Sequence, residues 1–298
     1  MPEPRPEWQQ ALLQRNRLPV EYLDSAQKWF NPMAAIIAEH QKSASRCWLV
    51  AVNGSQGSGK STLCDYLGAL FQAEFELASV TLSLDDFYLT APQRRQLAID
   101  VHPLLATRGV PGTHDMGLLC RTLDSLLAGE PVQIPRFDKA ADDRYPQADW
   151  DTVNTPVQVV LLEGWCLGAT AQPIDELVEP VNALEQSEDP DGVWRNYVNG
   201  VLSDQFSPLY QRVDEWVMLR APSFDCVYDW RLEQERKLSA QREGEGVMDA
   251  QQVARFVCHY QRLTEYCLQR LPSRVNHLFR LDQQRQISRY TATPGVRP

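Results

Sequence analysis

One octapeptide has the residue types and spacing to hold a triphosphate. Gly54-Ser55-Gln56-Gly57-Ser58-Gly59-Lys60-Ser61 satisfies G-x-x-x-x-G-K-[ST]. Its glycines let the backbone curl so that N–H groups point inward at phosphate oxygens. The following helix, opening at Thr62, adds the partial positive charge of its N-terminus. Lys60 can reach the β- and γ-phosphates, and the Ser61 hydroxyl can ligate Mg²⁺. The pattern implies a site for ATP and Mg²⁺ spanning residues 54–62.

Carboxylates further along have the placement that phosphoryl transfer needs. Leu161-Leu162-Glu163-Gly164 ends an apolar stretch and puts Glu163 where a Mg²⁺ partner is expected. Asp85 and Asp86 follow the alternating Val80, Leu82 and Leu84, where a second strand should end at Asp85. Transfer to an alcohol needs a carboxylate beside the attacking hydroxyl, to orient it and accept its proton. Asp85 is the candidate; a turn-forming aspartate pair is the plainer reading of the same dipeptide. No Asn-Lys-x-Asp guanine-reading motif is present, which disfavours a GTPase.

The elements that must position these groups alternate in type. Val20–His40 has helical apolar spacing, Trp48–Val52 is a short buried strand, and Thr62–Phe71 is again helical. Met116–Ala128 is a helix stopped by Gly129. The apolar stretch Val157–Leu162 is a strand covered on both faces. Trp194–Leu202 and Val253–Leu271 are helical, and Trp216–Leu219 and Val275–Leu281 are strands. The alternation predicts an α/β fold: a doubly wound parallel sheet flanked by helices. Residues 169–191, rich in acids and prolines, read as an irregular excursion. Glu243–Gly246 reads as a break between two helices.

Composition narrows the class. The chain has 298 residues, 43% hydrophobic and 23% charged, with a net charge of −10. An acidic surface works against general nucleic-acid binding, which needs a basic stripe. No apolar run approaches the ~18 residues of a membrane span, and the N-terminus lacks the apolar core of a secretory signal. A cytoplasmic protein without nucleic-acid or membrane partners is expected, as a monomer or weak oligomer. The seven cysteines are scattered without a Cys-x-x-Cys pair, and the five histidines lack His-x-x-x-His spacing. Reduced thiols and an oxygen-ligated Mg²⁺ fit better than a disulfide framework or a zinc site.

Ser83-Leu84-Asp85-Asp86-Phe87-Tyr88-Leu89-Thr90 resembles the segment after strand two in the uridine kinase, pantothenate kinase and glycerate kinase group, where the acid matching Asp85 is the catalytic base. Thr107-Arg108-Gly109-Val110-Pro111-Gly112-Thr113-His114-Asp115 resembles the acceptor-site loop of the plant-type D-glycerate 3-kinases and their fungal relatives. Pro135–Lys139, Glu163–Gly168, Trp194-Arg195 and Asp229–Glu235 are similar to the same subgroup. The resemblance implies a P-loop kinase fold with a helical lid. It implies that Asp86, Tyr88, Arg108, His114, Asp115, Asp138 and Lys139 line the acceptor site. Arg108, His114 and Lys139 would hold a small anionic acceptor. Asp115 could equally cap the helix at Met116, and Asp138-Lys139 could be a surface ion pair.

Trp230–Gln241 carries Arg231, Arg236 and Lys237 on a predicted helix. Kinases of this class close a basic lid over the nucleotide to exclude water, so Arg231 and Arg236 join Lys60 and Asp85 as catalytic candidates. Helical Glu–Arg pairs would explain the same charges. In the resembled family the segment after the last strand reads Asp-x-x-Arg-Asn-Pro. Here Asp282 and Arg285 stand in place while Gln286 and Ile287 replace the last two, leaving Arg285 as the nucleotide-side candidate.

The organisation expected is a helical N-terminal extension over residues 1–46 packed on a kinase domain over 47–298, with a lid near 223–250. The expected activity moves the γ-phosphoryl of MgATP to a hydroxyl of a small hydroxy acid, D-glycerate. The alternatives are the same chemistry on a nucleoside or pantothenate-like alcohol, or a non-catalytic nucleotide-binding regulator.

Overall fold

The computed structural model describes residues 5–239, 249–296 and 298, with side chains given outside 234–239. Helices α1 (Glu7–Asn16) and α2 (Glu21–Ala44) lead into β1 (Trp48–Gly54), α3 (Lys60–Phe75) and β2 (Ser79–Ser83). Then come α4 (Ala91–Asp100), α5 (Met116–Ala128), and the short strands β3 (Val132–Ile134), β4 (Phe137–Asp138), β5 (Asp143–Arg144) and β6 (Asp151–Val153). The remainder is β7 (Val159–Gly164), α6 (Ala183–Glu188), α7 (Val193–Val201), α8 (Ser207–Tyr210), β8 (Glu215–Arg220), α9 (Phe224–Ser239), α10 (Ala250–Arg270), β9 (His277–Leu281) and β10 (Ile287–Ala292).

Six strands form the main sheet in the order β10-β9-β8-β1-β7-β2. Five are parallel, and β10 closes the edge antiparallel to β9, an addition the alternating pattern does not signal. Leu49–Val52 and Val159–Leu162 are fully buried, because helices cover both faces of the central strands. Register sets the functional edge. Val52 of β1 and Ser83 of β2 both lie opposite Glu163 of β7. The chain therefore leaves all three strands at one level, and the loops after them meet there.

The second strand ends at Ser83, short of Asp85; a 3₁₀ turn over Leu84–Phe87 carries both aspartates. That turn swings the acids out of the sheet ladder. Segment 169–191 is also more ordered than its composition suggests, with a 3₁₀ turn at Ile174–Leu177 and helix α6. Two arginines pin it. Arg195 donates to the carbonyls of Leu177, Val178 and Asp189 and to the Asp189 carboxylate, and Arg262 binds Glu185 and the carbonyls of Glu176 and Glu179. Buried guanidinium donors here satisfy backbone groups that a prolonged helix would have satisfied itself.

The buried apolar positions of α2 include Leu23, Phe30, Met33 and Ile37. The Phe30 ring meets Phe279 at 5.2 Å and Tyr66 at 6.0 Å, so α2 contacts both a strand and α3. Arg15 of α1 is paired with Asp65 of α3 at 2.6 Å. Among the described residues no helix is long and apolar enough to cross a membrane. Glu243–Gly246 lies outside the described residues.

At the opposite end of the sheet a buried carboxylate ties three strands together. Glu215 accepts from Trp48 Nε1 at 3.0 Å and is 2.5 Å from His277 Nε2, while His40 Nδ1 stands at 3.2 Å. Burial would raise its pKa, but His277, Trp48 and His40 outweigh burial and lower it. A depressed folded-state pKa contributes stability above the ordinary carboxylate range, lost as pH falls through the folded value. Glu215→Ala is expected to cost about 3 kcal/mol, because it strands buried donors. Urea denaturation at neutral pH measures it; a change under about 0.5 kcal/mol, the ordinary surface value, would show the cluster contributes nothing.

Candidate active site

The phosphate loop leaves β1 at Gly54 and enters α3 at Lys60. Gly54 is closely approached: a Cβ there would lie 2.5 Å from Ser58 Oγ and 3.3 Å from the Leu219 Cβ. Gly59, the N-cap of α3, is left-handed at φ 89° and makes no side-chain cap. The first-turn N–H groups of α3 thus receive no capping side chain and can serve an anion. Ser55 Oγ, Gln56 Oε1 and Ser58 Oγ are buried without partners, a polar cradle with unused hydrogen-bonding capacity. Thr62 follows on α3. The loop is anchored from beneath by Asn53, whose Nδ2 donates to the carbonyls of Trp165 and Leu167 at 3.1 and 2.7 Å.

Glu163 spans the two functional groups of the loop. Its Oε1 accepts from Ser61 Oγ at 2.8 Å, and its Oε2 lies 3.6 Å from Lys60 Nζ. Burial would lower the Lys60 pKa, but Glu163 and then Asp85 outweigh it and raise it, so the ammonium stays charged. Hard oxygen donors at Ser61 and Glu163 suit Mg²⁺. Among the described residues no three His, Cys, Asp or Glu side chains cluster as a metal site. A metal here would therefore need oxygens from the nucleotide, which is how Mg²⁺ is ordinarily held.

Asp85 faces the loop from the 3₁₀ turn. Tyr88 Oη donates to Oδ1 at 3.0 Å and Lys139 Nζ donates to Oδ2 at 2.8 Å. Burial would raise this carboxyl; Lys139 and then Lys60 outweigh it and hold it well below the usual range. Asp86 turns the other way, accepting from Arg136 Nη1 at 2.7 Å and the Phe137 amide at 3.1 Å. It anchors the β4–β5 hairpin instead of facing an acceptor, and burial raises its pKa.

The loop over residues 107–115 lies against this turn. His114 bridges to Tyr88 in the backbone, stacks on its ring at 4.5 Å, and meets Phe206 edge-on. Both ring nitrogens are buried without partners, and burial lowers the imidazole pKa to about 4 against the opposing pull of Asp85. His114 is therefore neutral at physiological pH, not the cationic donor the sequence suggests. Asp115 caps α5 through Leu118 N at 2.9 Å and touches Arg144 at 3.3 Å. Asp138 accepts from the amides of Ala140 and Ala141, shaping the hairpin turn. Arg108 is paired with Asp142. Its carbonyl accepts from Tyr260 Oη at 3.1 Å, and Gly109 leaves room for that ring, since a Cβ there would sit 2.4 Å from Tyr260 Oη.

The structure thus gathers Lys60, Ser61, Glu163, Asp85, Tyr88 and Lys139 into one network, with His114 stacked against it and Arg108 on its border. Arg231 acts electrostatically on Tyr260, as Asp85 and Arg108 do, and so borders this network, whereas Arg285 is engaged elsewhere. The Arg231 guanidinium lies 5.2 Å from the Phe256 ring centre, joining α9 to α10. Arg285 pairs with Glu233 and lies over Trp230, whose Nε1 donates to the Gln283 carbonyl at 2.9 Å. The side chain of Arg236 lies outside the described residues. Sequence reasoning missed Asn53, Arg136, Arg144 and Tyr260. Arg136 stands in the Pro135–Lys139 segment without having been singled out; the other three stand in no quoted segment, and each is recruited by packing between distant segments.

Lys139→Met is expected to raise the Asp85 carboxyl pKa by removing its opposing charge. Carbon-detected NMR titration of Asp85 reads this directly, and an unmoved titration would show that the Lys139 pairing does not govern the carboxyl.

No family model matches the chain. An uncharacterized kinase of Schizosaccharomyces pombe is 34% identical over 255 residues, covering 80% of this chain and 88% of that protein. The chloroplastic D-glycerate 3-kinase of Arabidopsis thaliana is 32% identical over 222 residues, 71% of this chain and 46% of the plant protein. The chain thus matches under half the length of that relative. Among solved structures, D-glycerate 3-kinase from Cryptococcus neoformans superposes with a TM-score of 0.73 at 26% identity, covering 87% of this chain and 96% of that one.

Proposed function

The chain belongs to the D-glycerate 3-kinase-like family of P-loop kinases and is an ATP-dependent phosphotransferase acting on a small molecule; from that premise we propose that its acceptor is a small hydroxy acid, D-glycerate, converted to 3-phosphoglycerate. The observation that carries the reading is the pairing of Asp85 with Lys139 beside the phosphate loop. A carboxylate held ionised next to a lysine offers both a proton acceptor and a cation for an anionic alcohol.

In this reading the γ-phosphoryl lies against Lys60 and the loop N–H groups. Mg²⁺, held by Ser61 and Glu163, would neutralise phosphate charge when bound. The acceptor hydroxyl donates its hydrogen bond to Asp85. Its oxygen bonds to the γ-phosphorus as the bridging P–O bond to the β-phosphate breaks, and Asp85 takes the proton. A carboxyl this acidic is a weak base. It serves best by orienting the hydroxyl and accepting the proton late, which suits a loose transition state with little early bond formation. The triphosphate draws on Lys60, one of the cations that acidify Asp85, so nucleotide binding makes Asp85 a stronger base.

Purified protein with ATP and Mg²⁺ should consume ATP faster when D-glycerate is added. Asp85→Asn should reduce turnover by about 10²- to 10⁴-fold with ATP binding retained. Chelation of Mg²⁺ should abolish turnover. Strong stimulation by a nucleoside or pantothenate-like alcohol and none by D-glycerate would discard the acceptor. ATP turnover unaffected by any alcohol would move the chain toward a nucleotide-binding regulator.

A further inference from the structure

Four arginines crowd the β4–β5 hairpin and its neighbouring loops, and three hold two or more partners. Arg94 donates to the carbonyls of Leu89, Ala106 and Asp142 and to the Asp142 carboxylate. Arg136 divides itself between Asp86 and Asp151, each at 2.7 Å. Arg108 is held by the Asp142 carboxylate and the Lys139 carbonyl. Arg144 differs. Its side chain is 11% exposed, its Nε is buried without a partner, and its one side-chain contact among the described residues is Nη2 to Asp115 at 3.3 Å. A guanidinium carries five N–H donors, and a charge withdrawn from water with few partners is costly. Asp115 is itself shared, since its Oδ1 caps α5.

The fold brings this under-used cation to the acceptor side. Phe137 and Arg144 are directly opposite on the β4–β5 ladder, so their side chains leave the same face. The Phe137 ring lies edge-on to Tyr88 at 5.3 Å, and the Tyr88 hydroxyl reaches Asp85. Asp115 donates its amide to the Phe87 carbonyl at 2.7 Å, inside the turn that carries Asp85. Next to it, His114 has both ring nitrogens buried and unpartnered. Two side chains with incomplete hydrogen bonding thus flank Asp115.

We propose that Arg144 is a specificity-determining residue that receives the carboxylate of the acceptor, an assignment that rests on the hydroxy-acid reading above. Two carboxylate oxygens match a guanidinium fork bidentately, which a lysine cannot offer. Lys139 is paired with Asp85 and can add only a point charge. Arg94, Arg108 and Arg136 each hold a carboxylate at 2.7 Å or less, whereas Arg144 holds Asp115 only at 3.3 Å. Arg144 gains a partner without losing one, so the acid is favoured over its uncharged counterpart.

The test compares wild type, Arg144→Met and Arg144→Lys, measuring kcat and KM for D-glycerate and for glycerol, together with KM for ATP. Arg144→Met is expected to raise the glycerate KM about 10- to 100-fold with kcat within about 3-fold, the loss of a charge-assisted bond made equally in ground and transition states. The ATP KM and the glycerol values should not move, and Arg144→Lys should recover part of the loss. An unchanged glycerate KM overturns the proposal, as does an equal loss for glycerol, which marks a structural role. Should Arg144→Met fail to fold, Arg144→Lys decides, since it keeps charge without the fork and should still raise the glycerate KM several-fold. If the wild type prefers a different hydroxy acid, the same KM loss on that acid upholds Arg144 while the glycerate assignment falls. A wild type that prefers uncharged alcohols overturns both.

Discussion

Two carboxylates and two lysines alternate across the edge of three parallel strands, and the active region is organised by their balance. Glu163 holds Ser61 and faces Lys60; Asp85 is acidified by Lys139 and Lys60 together. Either lysine alone beside two acids would leave a partly buried negative charge, and either acid alone would leave a partly buried cation. Unpaired charge in such a setting costs several kcal/mol. The loops after β1, β2 and β7 are therefore bound to one another electrostatically as well as by the sheet.

The strand register makes that balance possible. Because Val52 and Ser83 both stand opposite Glu163, the three chain exits are level to within two residues. A shift of one residue in β7 would send the Glu163 side chain to the other face of the sheet. Buried apolar side chains on both faces of β1 and β7 hold the register, so the core and the site depend on one constraint. At the opposite end, Glu215 joins β8 to Trp48 of β1 and His277 of β9, and fixes the strand starts as the site fixes the strand ends.

The region of the β4–β5 hairpin is built differently. It is assembled from a hairpin and a loop held by arginines, with two of them sharing Asp142. Charge-assisted bonds to carbonyls and carboxylates replace the ladder hydrogen bonds that short strands cannot supply. This explains why so many charged residues there are structural. Asp86, Asp115 and Asp138 spend their oxygens on backbone amides or arginines, while Arg144 and His114 keep buried nitrogens without partners.

Local sequence was enough to determine the phosphate loop, its flanking strand and helix, the alternation that gives a parallel sheet, and the existence of an acid after the second strand. Each is a short-range pattern in which glycine, lysine and apolar spacing act on neighbours within about two turns. The antiparallel β10 edge, the 3₁₀ turn that lifts Asp85 from the strand, and the ordering of segment 169–191 by Arg195 and Arg262 were decided only in three dimensions. So was the division of Asp85 from Asp86, identical side chains one residue apart that meet Lys139 in one case and Arg136 in the other. His114 illustrates the same limit: its type suggests a cation, but burial between aromatic rings makes it neutral. Charge state and partner choice depend on desolvation and on residues fifty positions away, and neither quantity is carried by a local stretch of chain.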